Sequence, residues 1–248
     1  MASVKLGSKA VGSIVKLKVN GALRNFIVAH QGRPSSLYDT SCDGTWLLME
    51  TCYEKKQWNS SNSNDYATST IHSHLNSTFL NLFDANIRSR IKQAKIPYRP
   101  NSGTGQIVNS GANGLSVKIF LLSALEVGFT QSGTSAYIVN DGARLAYFGN
   151  NSVASNRIAT YDGSASYWWL RSPNIVSANS CSHITPKGAY AGGGASSNTF
   201  GVRPALILPP DLMVADDGTV TANTAPSTPS ALTVPAPLHG GSTSPLAW

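Results

Sequence analysis

The chain has 248 residues, 41% hydrophobic and only 12% charged, with a formal net charge of +7. That apolar content can bury a sizeable core and excludes a disordered chain, while the sparse charge leaves Ser, Thr, Asn and Gly to cover the surface. Residues 1–100 hold 13 Lys/Arg against 6 Asp/Glu, but these cations are scattered and not interleaved with aromatics, which argues against a nucleic-acid partner.

In chain order, "SIVKLKVNGALRNFIVAH" opens the fold. Val15, Leu17 and Val19 alternate with Lys16 and Lys18 as a half-buried strand, and Asn20-Gly21 is a hairpin turn signal. "TWLLMETCY" reads as a third, more deeply buried strand. Two short helices follow. "DYATSTIHSHLNSTFLNLF" puts Ile71, Leu75, Phe79 and Leu82 at helical spacing, and "DANIRSRIKQAKIP" runs from Asp84, an expected N-cap, to just before Pro97. His72 and His74 lie two apart and point to different sides, so they read as solvent-facing and not as a metal pair. Residues 101–114 form a loop whose glycines lack the spacing of a dinucleotide fingerprint.

"LSVKIFLLS" reads as a strand, and "SAYIVNDGARLAYF" as either a hairpin around Asp141-Gly142 or a short helix. "SYWWLRSP" and "GVRPALILP" are core strands by their aromatic and branched content. Trp168, Trp169, Leu170, Val202, Ala205 and Leu206 are expected on neighbouring strands of one sheet. "LMVADDGTVTA" is a terminal hairpin turning at Asp216, Asp217 and Gly218. From residue 222 the composition becomes Ser/Thr/Pro-rich, so residues 1–221 form one domain and 222–248 a linker.

The N-terminus lacks the apolar core of a signal peptide, and no run reaches membrane-spanning length. Cys42, Cys52 and Cys181 are an odd number and give no complete disulfide framework. Cys42 and Cys52 could pair, although free buried thiols suit a protein made in a reducing cytoplasm. No cofactor and no metal site are expected.

The paired segments "YWWLRSP" and "GVRPALIL", with "YIVNDGARLAYFG" upstream, resemble a bacterial and phage domain family of uncharacterised function. The closing pattern is similar to the formylglycine-generating-enzyme branch of the C-type-lectin fold. The resemblance implies an α+β, C-type-lectin-like fold with antiparallel sheets, two short helices and long loops. The tail "APSTPSALTVP" resembles the opening strand of a fibronectin type III module of the kind appended to phage tail proteins. Together these imply a phage tail or bacterial surface location and a bacterial cell-surface protein or glycan as partner. They also imply a homo-oligomeric tail assembly without membrane insertion, with a purely structural tail subunit as the alternative.

Within this resemblance the stretch between the two motifs is the ligand-facing loop, of the kind that retroelements diversify at asparagine codons. Asn174, Asn179, His183, Lys187, Tyr190 and Asn198 supply its polar contacts and one aromatic anchor. Gly192, Gly193 and Gly194 read as a sharp turn. Adjacent strand residues face opposite ways, so at least one of Trp168 and Trp169 is core. Arg171 and Arg203 are expected to make buried hydrogen bonds to loop backbone. An enzyme is the rival class: oxidation in the formylglycine-generating branch depends on a cysteine pair near the domain's end, and only Cys181 lies there. No nucleophile elbow, zinc motif or paired acid is visible.

Overall fold

The computed structural model describes residues 3–149, 154–197 and 199–224. Ten strands build two five-stranded sheets. They are Ile14–Val19 (β1), Ala22–Gln31 (β2), Thr45–Met49 (β3), Glu54–Lys56 (β4) and Ile119–Phe120 (β5), then Trp168–Pro173 (β6), Ser180–Ile184 (β7), Tyr190–Gly194 (β8), Phe200–Val202 (β9) and Ala205–Leu208 (β10). The first sheet has the order β1-β2-β3-β10-β5 and is antiparallel throughout. The second has the order β8-β7-β6-β9-β4, with β6 and β9 its one parallel pair, Trp168 opposite Gly201. Short pairings at Val4–Lys5, Leu212–Val214 and Val220–Thr224, at Ala94–Ile96 and Leu115–Val117, and at Ala159–Tyr161 and Ser164–Ser166 complete a mixed α+β architecture.

The opening hairpin follows directly from its sequence. Asn20 and Gly21 both take positive φ, 50° and 76°, as a two-residue hairpin turn requires. Val15, Leu17 and Val19 are buried while the intervening lysines face out. β3 is buried on both faces, because Leu47 and Met49 enter one apolar cluster and Trp46 and Leu48 the other. The first cluster also takes Ile71, Leu75, Phe79, Phe83 and Ile87 from the helical region. β6 divides in the same way, with Trp169 in the first cluster and Trp168 in the second, so the ring pair belongs wholly to the core. Each buried indole N–H has a carbonyl: Trp46 donates to Cys42, Trp58 to Leu170, Trp168 to Arg157 and Trp169 to Lys56.

Several expectations need correction. Ala205 and Leu206 lie in the first sheet and not beside Trp168. The chain changes sheets at Arg203-Pro204, where the Met49 amide donates to the Pro204 carbonyl and Arg203 Nε to the Met49 carbonyl, both at 2.9 Å. Gly201 is needed at this crossing, since a Cβ there would sit 2.5 Å from Cys52 Sγ and 2.8 Å from the Tyr167 carbonyl. Residues 115–123 are not one strand. Asn76 Oδ1 accepts the amides of Lys118 and Ile119 and its Nδ2 donates to the Ile119 carbonyl, so the two apolar halves part into different sheets. Residues 136–149 are neither hairpin nor helix but irregular chain with one 3-10 turn at Ala146–Phe148.

The helical region is fragmented into Thr70–His74 (α1), wider and tighter turns to Leu82, Ala85–Arg90 (α2) and a third four-residue helix, Ala154–Arg157 (α3). α2 stops at Arg90, well before Pro97, because Ala94–Ile96 pairs as a strand. Asp84 precedes α2 without a capping hydrogen bond and faces Lys18 Nζ at 3.7 Å instead. His72 and His74 are half-buried, the first against the Tyr66 ring and the second 2.5 Å from Glu54 Oε1. All three cysteines are buried and free. The terminal hairpin turns at Asp216, Asp217 and Gly218, and its second strand, Val220–Thr224, crosses the boundary expected at residue 221. The fibronectin-like stretch lies outside the described residues. No helix among the described residues is long and apolar enough to cross a membrane.

Candidate functional site

The segment between the two motifs is largely an ordered hairpin, β7 against β8, and it is not a free loop. Its register runs from Ser180 opposite Gly194 to Ile184 opposite Tyr190. Gly192, Gly193 and Gly194 are therefore strand residues and make no sharp turn. The expected site residues separate accordingly. Asn179 and Lys187 are exposed, but they lie beyond opposite ends of β7. Asn174 is half-buried, with its Oδ1 accepting the Val176 amide at 2.8 Å. Tyr190 is half-buried, edge-on to Phe129 at 5.6 Å, with its hydroxyl 3.3 Å from Ser182 Oγ.

His183 is a core residue, 4% exposed and packed among Tyr167, Trp169 and Phe200, whose ring lies 4.5 Å away. Burial pushes its pKa down to about 4, so the ring is neutral. Asn198 lies outside the described residues. The candidates thus do not form one patch.

What the structure does gather is a platform at the far end of β6, built from residues 101–107, 132–140 and 174–179. The Gly105 amide donates to the Ile175 carbonyl at 2.7 Å, and the Ile175 amide to the Tyr137 carbonyl at 2.9 Å. Gln106 Nε2 donates to the Ile138 carbonyl, and Gln106 Oε1 accepts the Asn140 amide, both at 3.1 Å. Asn64, fully buried, is the rivet. Its Nδ2 donates to the carbonyls of Gly103, Asn174 and Ser177, and its Oδ1 accepts from the Gly103 amide and, at 2.6 Å, from buried Arg99. With backbone polarity satisfied inside, the three segments turn apolar side chains outward: Ile107, Val176 and Tyr137 are 70%, 60% and 52% exposed.

Below the platform sits a sealed polar cluster. Arg171 uses all five N–H donors: Nε to the Pro97 carbonyl, the terminal nitrogens to the Leu121 and Asp141 carbonyls and, at 2.6 and 2.7 Å, to both oxygens of Glu126. Glu126 also accepts from Tyr38 and from the Ser123 amide. Asp141 accepts from Ser172 through Oδ1, while its Oδ2 has no partner, and burial raises its pKa to about 7. Both side chains of the Arg171–Glu126 pair are fully inaccessible. The cluster therefore binds the 121–126 and 137–143 segments to β6 and offers no group to a ligand. Arg203 likewise ties strand to backbone, with its guanidinium 5.0 Å over the Trp168 ring. Of the members that sequence reasoning missed, Glu126 carries a signal, a lone acid inside "FLLSALEVGF"; Asn64, in a run of Ser and Asn, carries none.

Two sheets with polar crossings, short helices and a riveted loop platform define a mixed α+β scaffold for long irregular segments. Residues 43–210 match a family model described as "Domain of unknown function (DUF6273)", and the chain belongs to that family. The matched stretch begins just before β3 and ends just after β10, so it contains the Arg203-Pro204 crossing, the platform and the sealed cluster apart from Tyr38. No curated protein and no solved structure matches the chain.

Proposed function

We propose that this chain is a non-enzymatic ligand-binding domain, C-type-lectin-like in fold, from a phage tail or related surface assembly, with a bacterial cell-surface protein or glycan as its partner. The observation that carries the reading is the platform: Asn64 holds the 101–107 and 174–179 segments from within, the Tyr137 carbonyl and Gln106 tie the 132–140 segment to them, and the three expose Ile107, Tyr137 and Val176. Large apolar side chains held outward on a rigid frame are the composition of a recognition surface. The working part of the 174–200 stretch is then its first arch, 174–179, and the β7–β8 hairpin is scaffold. Asn174 and Asn179 border that arch, so diversification at asparagine codons forms part of the proposal. The buried Arg171 and Glu126 are committed to each other and sealed from solvent, which favours binding over catalysis.

The test is adsorption of the labelled chain to a panel of bacterial cells. Wild type labels a subset of strains, and Val176→Asp or Tyr137→Ala abolishes labelling while the melting temperature holds, since exposed substitutions cost within about ±0.5 kcal/mol. Labelling retained in both variants overturns the platform assignment. No labelling of any strain, together with self-association into larger assemblies, favours the structural tail subunit.

A further inference from the structure

Away from the platform, a cleft of about 480 Å3 opens between the Ala159–Tyr161/Ser164–Ser166 hairpin and the segment that links β3 to β4. One wall is Thr51, Cys52 and Tyr53, the other is Thr160, Tyr161 and the Asp162-Gly163 turn, and Arg24 of β2 stands at the rim. The walls are fastened together, because the Cys52 amide donates to the Thr160 carbonyl at 2.9 Å. The turn is fixed by positive φ at Asp162 and Gly163, 50° and 76°. The cleft is thus preformed.

Its chemistry is mixed in a specific way. Tyr53 and Tyr161 bring two half-buried rings, and each has a cation over it: the Arg24 guanidinium at 6.0 Å from the Tyr53 centroid and Lys55 Nζ at 5.0 Å from that of Tyr161. Neither cation has a carboxylate partner among the described residues. The hydroxyls of Thr51 and Thr160 make no hydrogen bond within the described protein, and Asp162 is the one carboxylate in the lining.

We infer that this cleft binds an acidic saccharide, a pyranose bearing a carboxylate. The C–H face of a sugar ring packs on tyrosine, and its hydroxyls need the small donors and acceptors that Thr51, Thr160 and Asp162 supply. Its carboxylate needs an unpaired guanidinium, which Arg24 supplies. The volume is that of a small-ligand pocket, about 300 Å3 or more. Asp162 discriminates against polyphosphates, whose denser charge it repels, while it accepts hydroxyl protons from a sugar. This site shares no residue with the platform and stands independently of the function proposed above.

The experiment is an amide-resolved NMR titration of the full chain with tri-galacturonate, with neutral maltotriose as the comparison. Saturable shifts at the amides of residues 51–53 and 160–163 are expected with tri-galacturonate. Affinity should fall roughly tenfold in Arg24→Gln and vanish in Tyr161→Ala, whereas Tyr161→Phe, which keeps the ring, binds as wild type. Absence of shifts at those amides overturns the site. Equal affinity for maltotriose, or unchanged affinity in Arg24→Gln, overturns the acidic specificity. Because the readout is local to the cleft, failure of cell adsorption by the platform does not affect it.

Discussion

Asp141 is the residue on which the sealed cluster is electrostatically unfinished. Arg171 and Glu126 neutralise each other, and Ser172 meets one oxygen of Asp141 while the other meets nothing. Desolvation outweighs the nearby Arg171 charge and holds the Asp141 carboxyl at about 7, above its ordinary 3.8. A raised acid means that the folded state keeps a proton the unfolded chain has released, so this contribution is full below pH 3.8 and is lost as pH rises to about 7. Its upper size is about 4 kcal/mol, at 1.36 kcal/mol per pKa unit. His183 slopes the other way, since its depressed pKa contributes stability that is lost as pH falls from 6.5 towards 4. The wild-type curve therefore mixes the two, and a difference isolates Asp141. Chemical denaturation of wild type and Asp141→Asn should show the wild type gaining relative to the variant as pH drops from 8 to 4.5. A pH-independent difference would mean that Asp141 stays ionised in the fold.

At the level of elements, the β7–β8 hairpin decides what can be altered without unfolding the protein. Cys181 and His183 point into the core, and the His183 ring fills the space between Trp169 and Phe200. His183→Ala should therefore cost about 1–3 kcal/mol in equilibrium unfolding, whereas Asn179→Ala with Lys187→Ala should fall within about ±0.5 kcal/mol. Equal stability of the two variants would take His183 out of the core. That hairpin was not legible in sequence for a physical reason. "SCSHI" and "YAGGG" lack apolar alternation because a histidine and a cysteine do the burying and glycines pair at the sheet edge. By contrast β1 and β2 were legible, since their alternation and their Asn-Gly turn are local signals. The split of residues 115–123 was hidden because a distant side chain, Asn76, intercepts the backbone there.

Across the whole molecule, the platform was illegible for the same reason on a larger scale: Asn64 meets Gly103 and Ser177, and Tyr137 meets Ile175, across long separations in sequence. The scaffold that brings them together turns on β6, whose adjacent tryptophans enter different apolar clusters. β3 also feeds both clusters, and the chain crosses between the sheets four times; the two short crossings, at residues 50–53 and at Arg203-Pro204, are joined by hydrogen bonds. Neither cluster can lose its packing without releasing a strand that the other needs. The protein should therefore unfold in one transition despite its two clusters. Trp168→Ala and Trp169→Ala should each cost about 3–5 kcal/mol, as removal of a buried indole does, and each should lower the midpoint of that same transition. Urea unfolding followed by tryptophan fluorescence and by far-UV circular dichroism measures both. Coincident curves in wild type and variants are expected, and a biphasic curve in either variant, with half the signal surviving at the wild-type midpoint, would show that the clusters unfold independently.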